Sequence, residues 1–197
     1  MRTQTPALLD RFIPRPDAGG RHEITIHAPA ALVMEVARNF DVSSIGAIRA
    51  LFWMRAKILG GHAEMQLQRR GLVADMLALG WGCLAEEPER YFIGGAACRP
   101  WEGDVHFCAI EPARFANFSE PDQVRIAWTL EALPLGPEVT RFGTETRVAA
   151  TDEASRVKFR GYWRKFGIGI VLIRKILLPL VRREAERRVK AARTSAA

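Results

Sequence analysis

His22 is the residue whose type and position most invite a chemical role. It lies in the alternating run Arg21–Ala28, with Ile24 and Ile26 on its own face and Glu23, Thr25 and His27 on the other. A histidine on an apolar face can donate to a ligand or exchange a proton near neutral pH. It can equally be a core histidine hydrogen-bonded to its surroundings. No other residue stands at a spacing that makes it half of a catalytic pair. Arg99 and Glu111 lie beside aromatic residues, where either can anchor a ligand's polar group or pair with an opposite charge at the surface. Thr144 and Thr146 alternate with Glu145 and Arg147, which places two hydroxyls on one strand face and two charges on the other. Those charges, with Arg125 and Glu131 of the preceding strand, read as cross-strand ion pairs on the solvent side. His27, His62 and His106 share no ligand spacing with one another or with Cys83, Cys98 and Cys108, so no metal is expected. There is no nucleophile elbow, phosphate loop or dinucleotide fingerprint, and Gly94-Gly95 is too short to cradle a phosphate. No cofactor is therefore expected.

The elements that would position these residues follow from periodicity. From Asp152 to about Lys190, Phe159, Trp163, Phe166, Ile170, Ile173, Leu177 and Leu180 recur at alternating spacings of four and three, the mark of a long helix with one apolar stripe. Thr151 or Asp152 caps it, and Pro179 should kink it or end its regular part. Before it, Gln123–Ala132 and Val139–Ala150 alternate as strands. Met76–Glu87 and Arg90–Arg99 read as two more strands around Pro88, with Gly80, Gly82, Gly94 and Gly95 implying bulges or tight curvature. Val105–Phe118 reads as a further segment, irregular at Pro112. Ala30–Phe40 and Ile45–Leu59 read as helices, the second capped by Ser43 or Ser44, and Ala63–Arg70 can form a short one. Residues 1–20 read as an arm with a helical turn at Ala7–Phe12, residues 21–191 as one domain, and residues 192–197 as a disordered tail. Strands grouped together with helices set apart give an α+β fold. A long terminal helix closing on a curved antiparallel sheet is the helix-grip arrangement.

The chain has 197 residues, 48% of them apolar and 26% charged, within the ordinary range for a globular domain. Its net charge of +7 is concentrated: from Asp152 onward there are 13 Lys and Arg against 4 Asp and Glu. The excess therefore belongs to the last helix, as a solvated face or as a surface for an anionic partner. Basic residues on one helix without aromatic strand motifs do not support nucleic-acid binding. Ile168, Val171 and Leu172 leave the main stripe and are flanked by Arg164, Lys165, Lys175 and Arg182. They can form a peripheral membrane or homodimer contact, unless Gly167 and Gly169 break the helix and bury them. The N-terminal residues lack the apolar segment of a secretory signal. The odd cysteine count fits buried, reduced thiols and a cytoplasmic location.

Several stretches together resemble the START-related SRPBCC superfamily of polyketide cyclases and dehydrases, lipid-transfer domains and plant allergen ligand carriers. They are Leu9-Asp10-Arg11-Phe12-Ile13-Pro14 followed by His22 and Ala28-Pro29-Ala30, Leu84-Ala85-Glu86-Glu87-Pro88, Arg114–Pro121, Thr144-Glu145-Thr146-Arg147-Val148 with Ala150-Thr151-Asp152, and Phe159-Arg160 with Tyr162-Trp163. More narrowly, the chain looks like a bacterial subgroup without an agreed catalytic set. The resemblance implies a helix-grip fold that binds an apolar or amphipathic small molecule, lipid- or polyketide-like, between sheet and terminal helix. The expected wall is Trp128, Phe142, Thr144, Thr146, Phe159, Trp163 and Phe166, with His22, Arg99 and Glu111 as polar candidates. Two alternatives stand beside this carrier reading. One is a cyclase- or dehydrase-type enzyme acting on such a molecule. The other is an interaction or membrane-surface module using the basic helix.

Overall fold

The computed structural model describes residues 8–61 and 69–195. Their order is β1 (Ala18–Ile26), α1 (Ala30–Arg38), α2 (Gly46–Ile58), α3 (Leu72–Ala78), β2 (Gly82–Glu87), β3 (Tyr91–Cys98), α4 (Pro112–Phe115), β4 (Val124–Gly136), β5 (Val139–Ala150) and α5 (Glu153–Ser195). The strands form one antiparallel sheet in the order β1-β5-β4-β3-β2. α5 lies across β1, β5 and β4 on the sheet's inner face. This is an α+β fold of the helix-grip type.

The alternation of β4 and β5 divides their side chains cleanly. Val124, Trp128, Leu130, Phe142, Thr144 and Val148 are buried on the inner side. The outer side is not a plain solvent face. Leu9, Phe12 and Ile13 of the N-terminal arm are buried there against Ile93, Ala97, Phe115, Ala127 and Ala149. The arm is tied by Arg147, whose guanidinium donates to Asp10 Oδ1 at 2.7 Å and to the Ile13 carbonyl at 2.9 Å. Glu145, expected at the surface, is 7% exposed and accepts from Arg147 Nε at 2.6 Å. Among the described residues Arg125 pairs with no carboxylate and donates to the carbonyls of Phe115 and Ala116.

Other expectations are corrected. The expected strand from Met76 begins instead as α3, because Leu72, Val73 and Met76 recur at helical spacing. Gly80 then ends the helix at φ +100°, and β2 opens only at Gly82. Val105–Phe118 is not a strand; it makes one bridge, Ala97 to Cys108, and the short α4. Neither Ser43 nor Ser44 caps α2, which starts after Ile45. The short helix expected at 63–70 falls, apart from Arg69 and Arg70, outside the described residues. β3 is continuous through Gly94 and Gly95, and the one register irregularity of the β2–β3 pair lies between Cys83 and Ala85.

α5 has 43 residues and does not end at Pro179. Its length is about 64 Å at 1.5 Å per residue. Proline removes the donor for the Lys175 carbonyl, yet Leu177, Leu178 and Val181 on either side remain buried and hold the helix to the core. The helix also runs unbroken through Gly167 and Gly169, leaving Ile168 70% exposed. From Gly167 onward its buried line is Gly167, Arg174, Leu177, Leu178, Val181 and Ala185. That line is rotated by about one residue from the expected stripe, so Ile170, Ile173 and Leu180 are only half-buried.

Candidate functional site

Antiparallel register sets side chains of neighbouring strands opposite one another. On the inner face one such row runs Gly20–Thr146–Trp128–Gly94–Cys83 across all five strands. A parallel pair, His22 opposite Thr144, lies one pleat further along. The β4–β5 pairing is interrupted between Trp128–Thr146 and Glu131–Gly143, where the Thr129 hydroxyl accepts the Glu145 N–H at 3.0 Å. Thr144 is buried and Thr146 half-buried beside this break in the ladder.

The row is furnished unevenly. Towards β3 the Trp128 indole lies over Gly94, whose missing side chain makes the space: a Cβ there would stand 2.5 Å from Trp128 Nε1. Trp81 meets Trp128 edge-on at 6.4 Å between ring centroids, and the Phe92 ring lies 5.5 Å from it. Towards β1 the row carries Gly20, and Arg174 descends from α5 onto it, with Nη1 3.2 Å from where a Gly20 Cβ would be. Arg174 is 5% exposed. Burial pulls its pKa down, and Glu145, across the sheet and already engaged by Arg147, offsets that only in part.

Four buried polar atoms on this side of the sheet have no hydrogen-bond partner among the described residues: His22 Nδ1, Trp81 Nε1, Trp128 Nε1 and Arg174 Nη2. Such atoms cost free energy when dry and unpaired. In natural structures such atoms meet a protein group, an ordered water, an ion or a ligand.

The expected wall is brought together in part. His22, Phe142, Thr144, Thr146 and Trp128 share the inner face. Phe142 packs with Leu177 and Leu178 at one end, while Phe159 packs with Cys98, Val124 and Val148 at the other. Trp163 lies 5.6 Å from Phe159 and folds back over Gly167 of its own helix. Phe166 is half-buried against Tyr162 at 5.1 Å. Arg99 and Glu111 do not belong to the site. Arg99 is exposed and bonded to Asp122 and Glu102, and Glu111 is exposed at the start of α4.

Sequence reasoning missed Arg174 and Trp81. Arg174 stands four residues after Ile170 and three before Leu177, a stripe position that could have revealed it. Trp81 was hidden by reading its segment as strand.

Arg55 closes the Phe159 end. It donates to Tyr162 Oη at 3.2 Å and to the carbonyls of Pro100 and Glu102 at 2.7 and 2.8 Å, linking α2 to α5 and the loop after β3. The thiols differ from expectation: only Cys98 is buried, while Cys83 and Cys108 are exposed. Burial pushes the Cys98 thiol up to about 12, so it is not a nucleophile near neutral pH. Among the described residues, no three His, Cys, Asp or Glu side chains gather to hold a metal, and no helix is long and apolar enough to cross a membrane.

No family model matches the chain, and no curated protein matches it. Among solved structures, it is similar to the ZhuI aromatase/cyclase from Streptomyces sp. R1128, at TM-score 0.31 and 17% identity, covering 89% of this chain and 97% of that one. It is also similar to TTHA0849 from Thermus thermophilus, at TM-score 0.28 and 15% identity, covering 89% and 99%. At these scores the likeness bears on neither ligand nor reaction.

Proposed function

We propose that the protein is a carrier holding an apolar or amphipathic small molecule between the inner face of the sheet and α5. The observation that carries this reading is the set of orphaned buried polar atoms on one inner layer, two of them indole N–H groups among aromatic rings. A ligand with an apolar body and a few acceptors satisfies them while covering Trp81, Trp128 and Phe92. The row from Gly20 to Gly94 crosses three strand spacings, about 14 Å, which suits a molecule of modest length. A cyclase- or dehydrase-type reaction is supported less, because no described carboxylate bonds to His22 to orient it as an acid or base.

A second reading has its own observation. Ile168 and Leu172 on α5 are 70% and 41% exposed, and Trp53 and Ile58 on α2 are 58% and 61% exposed. With Lys57, Arg164 and Lys165 also exposed on these helices, such side chains suit a peripheral contact with an anionic membrane, from which an apolar ligand would be taken up.

Native mass spectrometry of protein purified from its own host, with extraction of whatever is retained, tests the carrier reading. A co-purifying apolar molecule at near-stoichiometric occupancy is expected. Protein that is empty on isolation and remains so after incubation with its host's lipid extract would contradict it.

A further inference from the structure

We infer that Arg174 is the anchor for a carboxylate on the bound molecule, so that the ligand is an apolar acid with its charged end towards β1. This deepens the carrier reading and rests on it. Arg174 is the one buried cation among the described residues; its Nη2 has no hydrogen-bond partner among them, and the carboxylate that acts on it, Glu145, lies across the sheet and is held by Arg147. A guanidinium cannot shed its proton to escape burial, so the charge requires a counter-charge. The neighbours of Arg174 on the sheet are small or polar. Nη1 lies over Gly20 in the space a side chain there would take, Thr146 stands opposite Gly20, and His22 with its orphaned Nδ1 is the next inward residue of β1. A planar guanidinium matches a carboxylate through paired N–H···O bonds. One buried cation balances a carboxylate but not a phosphate dianion. The rest of the molecule would run along the row towards Trp128 and Trp81, where the indole N–H groups await acceptors.

The test compares wild type with Arg174→Met, which keeps much of the bulk and removes the charge. The first measurement is thermal stability of both proteins after passage over a lipid-adsorbing resin. An anchor awaiting its ligand is a cost to the empty protein, so Arg174→Met should melt about 3 °C or more higher. A lower melting temperature would mean that Arg174 holds the fold, and would overturn the proposal. The second measurement titrates dodecanoic acid and 2-naphthoic acid, each beside its methyl ester. Wild type should prefer an acid over its ester at least about tenfold, a single charge-assisted pair, and Arg174→Met should lose that preference while still binding the ester. Equal acid affinity in the two proteins, or binding of esters alone, overturns the anchor and leaves the carrier standing. Binding of none of the four probes overturns the carrier reading itself.

Discussion

Trp128 and Gly94 are fitted to one another: a Cβ added to Gly94 would stand 2.5 Å from the indole Nε1 and 2.9 Å from Cε2. The next residue does the same for the opposite face. A Cβ on Gly95 would meet Leu84 Cδ1 at 2.4 Å and the Phe115 ring at 2.7 Å. Two adjacent glycines thus let large side chains close over both faces of β3. Gly94→Ala and Gly95→Ala should each destabilise by about 1–3 kcal/mol, the usual cost of overpacking. Chemical denaturation measures that cost. Only Gly94→Ala should also change tryptophan fluorescence and ligand affinity, because only it moves Trp128.

Trp128 itself separates bulk from polarity. Trp128→Ala should cost about 3–5 kcal/mol, as large aromatic truncations in cores do. Trp128→Phe keeps most of the packing and removes the orphaned N–H, so the empty protein should stay within about 1.5 kcal/mol of wild type. Affinity for a ligand that accepts a hydrogen bond should fall. Equal stability of the Ala variant and wild type would remove Trp128 from the core.

The arm makes a prediction of the opposite kind. Phe12 is 6% exposed and meets Phe115 edge-on at 5.9 Å on the outer face. Phe12→Ala should cost about 3 kcal/mol without altering the affinity of anything held on the inner face. A change in affinity would show that the arm communicates with the site through the sheet.

α5 is started by Asp152, whose Oδ1 accepts the Ser155 N–H at 2.7 Å and whose Oδ2 accepts the Asp122 N–H at 2.6 Å. These bonds hold its carboxyl at about 2, below its ordinary 3.8. A depressed carboxylate pKa contributes stability that is fully present above the unfolded value and is lost as pH falls through the folded one. Wild type should therefore lose melting temperature as pH drops from 3.8 towards about 2. Asp152→Asn should melt lower at neutral pH and show a shallower fall over that window. Parallel curves for the two proteins would contradict the assignment.

What was legible in the sequence was what period alone dictates. The clean alternation of Val124–Leu130 and of Phe142–Val148 located β4 and β5 and their inner faces, because a period of two leaves no freedom about which face is buried. The terminal helix was legible for the same reason, and so was its cap. Its phase was not: Arg174 sits on the buried line, and a charge in an apolar run reads as solvent-facing until the sheet beneath is seen. Met76–Leu79 reads as the start of a strand but belongs to α3 and its C-terminal cap, because a short apolar run fits helix and strand alike. Arg99 and Glu111 were candidates only because their strand register was unknown, and the fold places both at the surface. The burial of Glu145 depended on the arm from far up the chain, a contact that no local pattern reveals.

The most direct test of the carrier account reads the indole N–H groups themselves. In a ¹⁵N-resolved spectrum the five tryptophans give separate side-chain signals, assignable by single Trp→Phe variants. Comparing resin-stripped protein with the same protein carrying its co-purified molecule, the account predicts shifts at Trp128 and Trp81, with the exposed Trp53 unmoved. Shifts confined to Trp53, or no shift at Trp128 with a molecule bound, would place the ligand elsewhere and contradict a site between the sheet and α5.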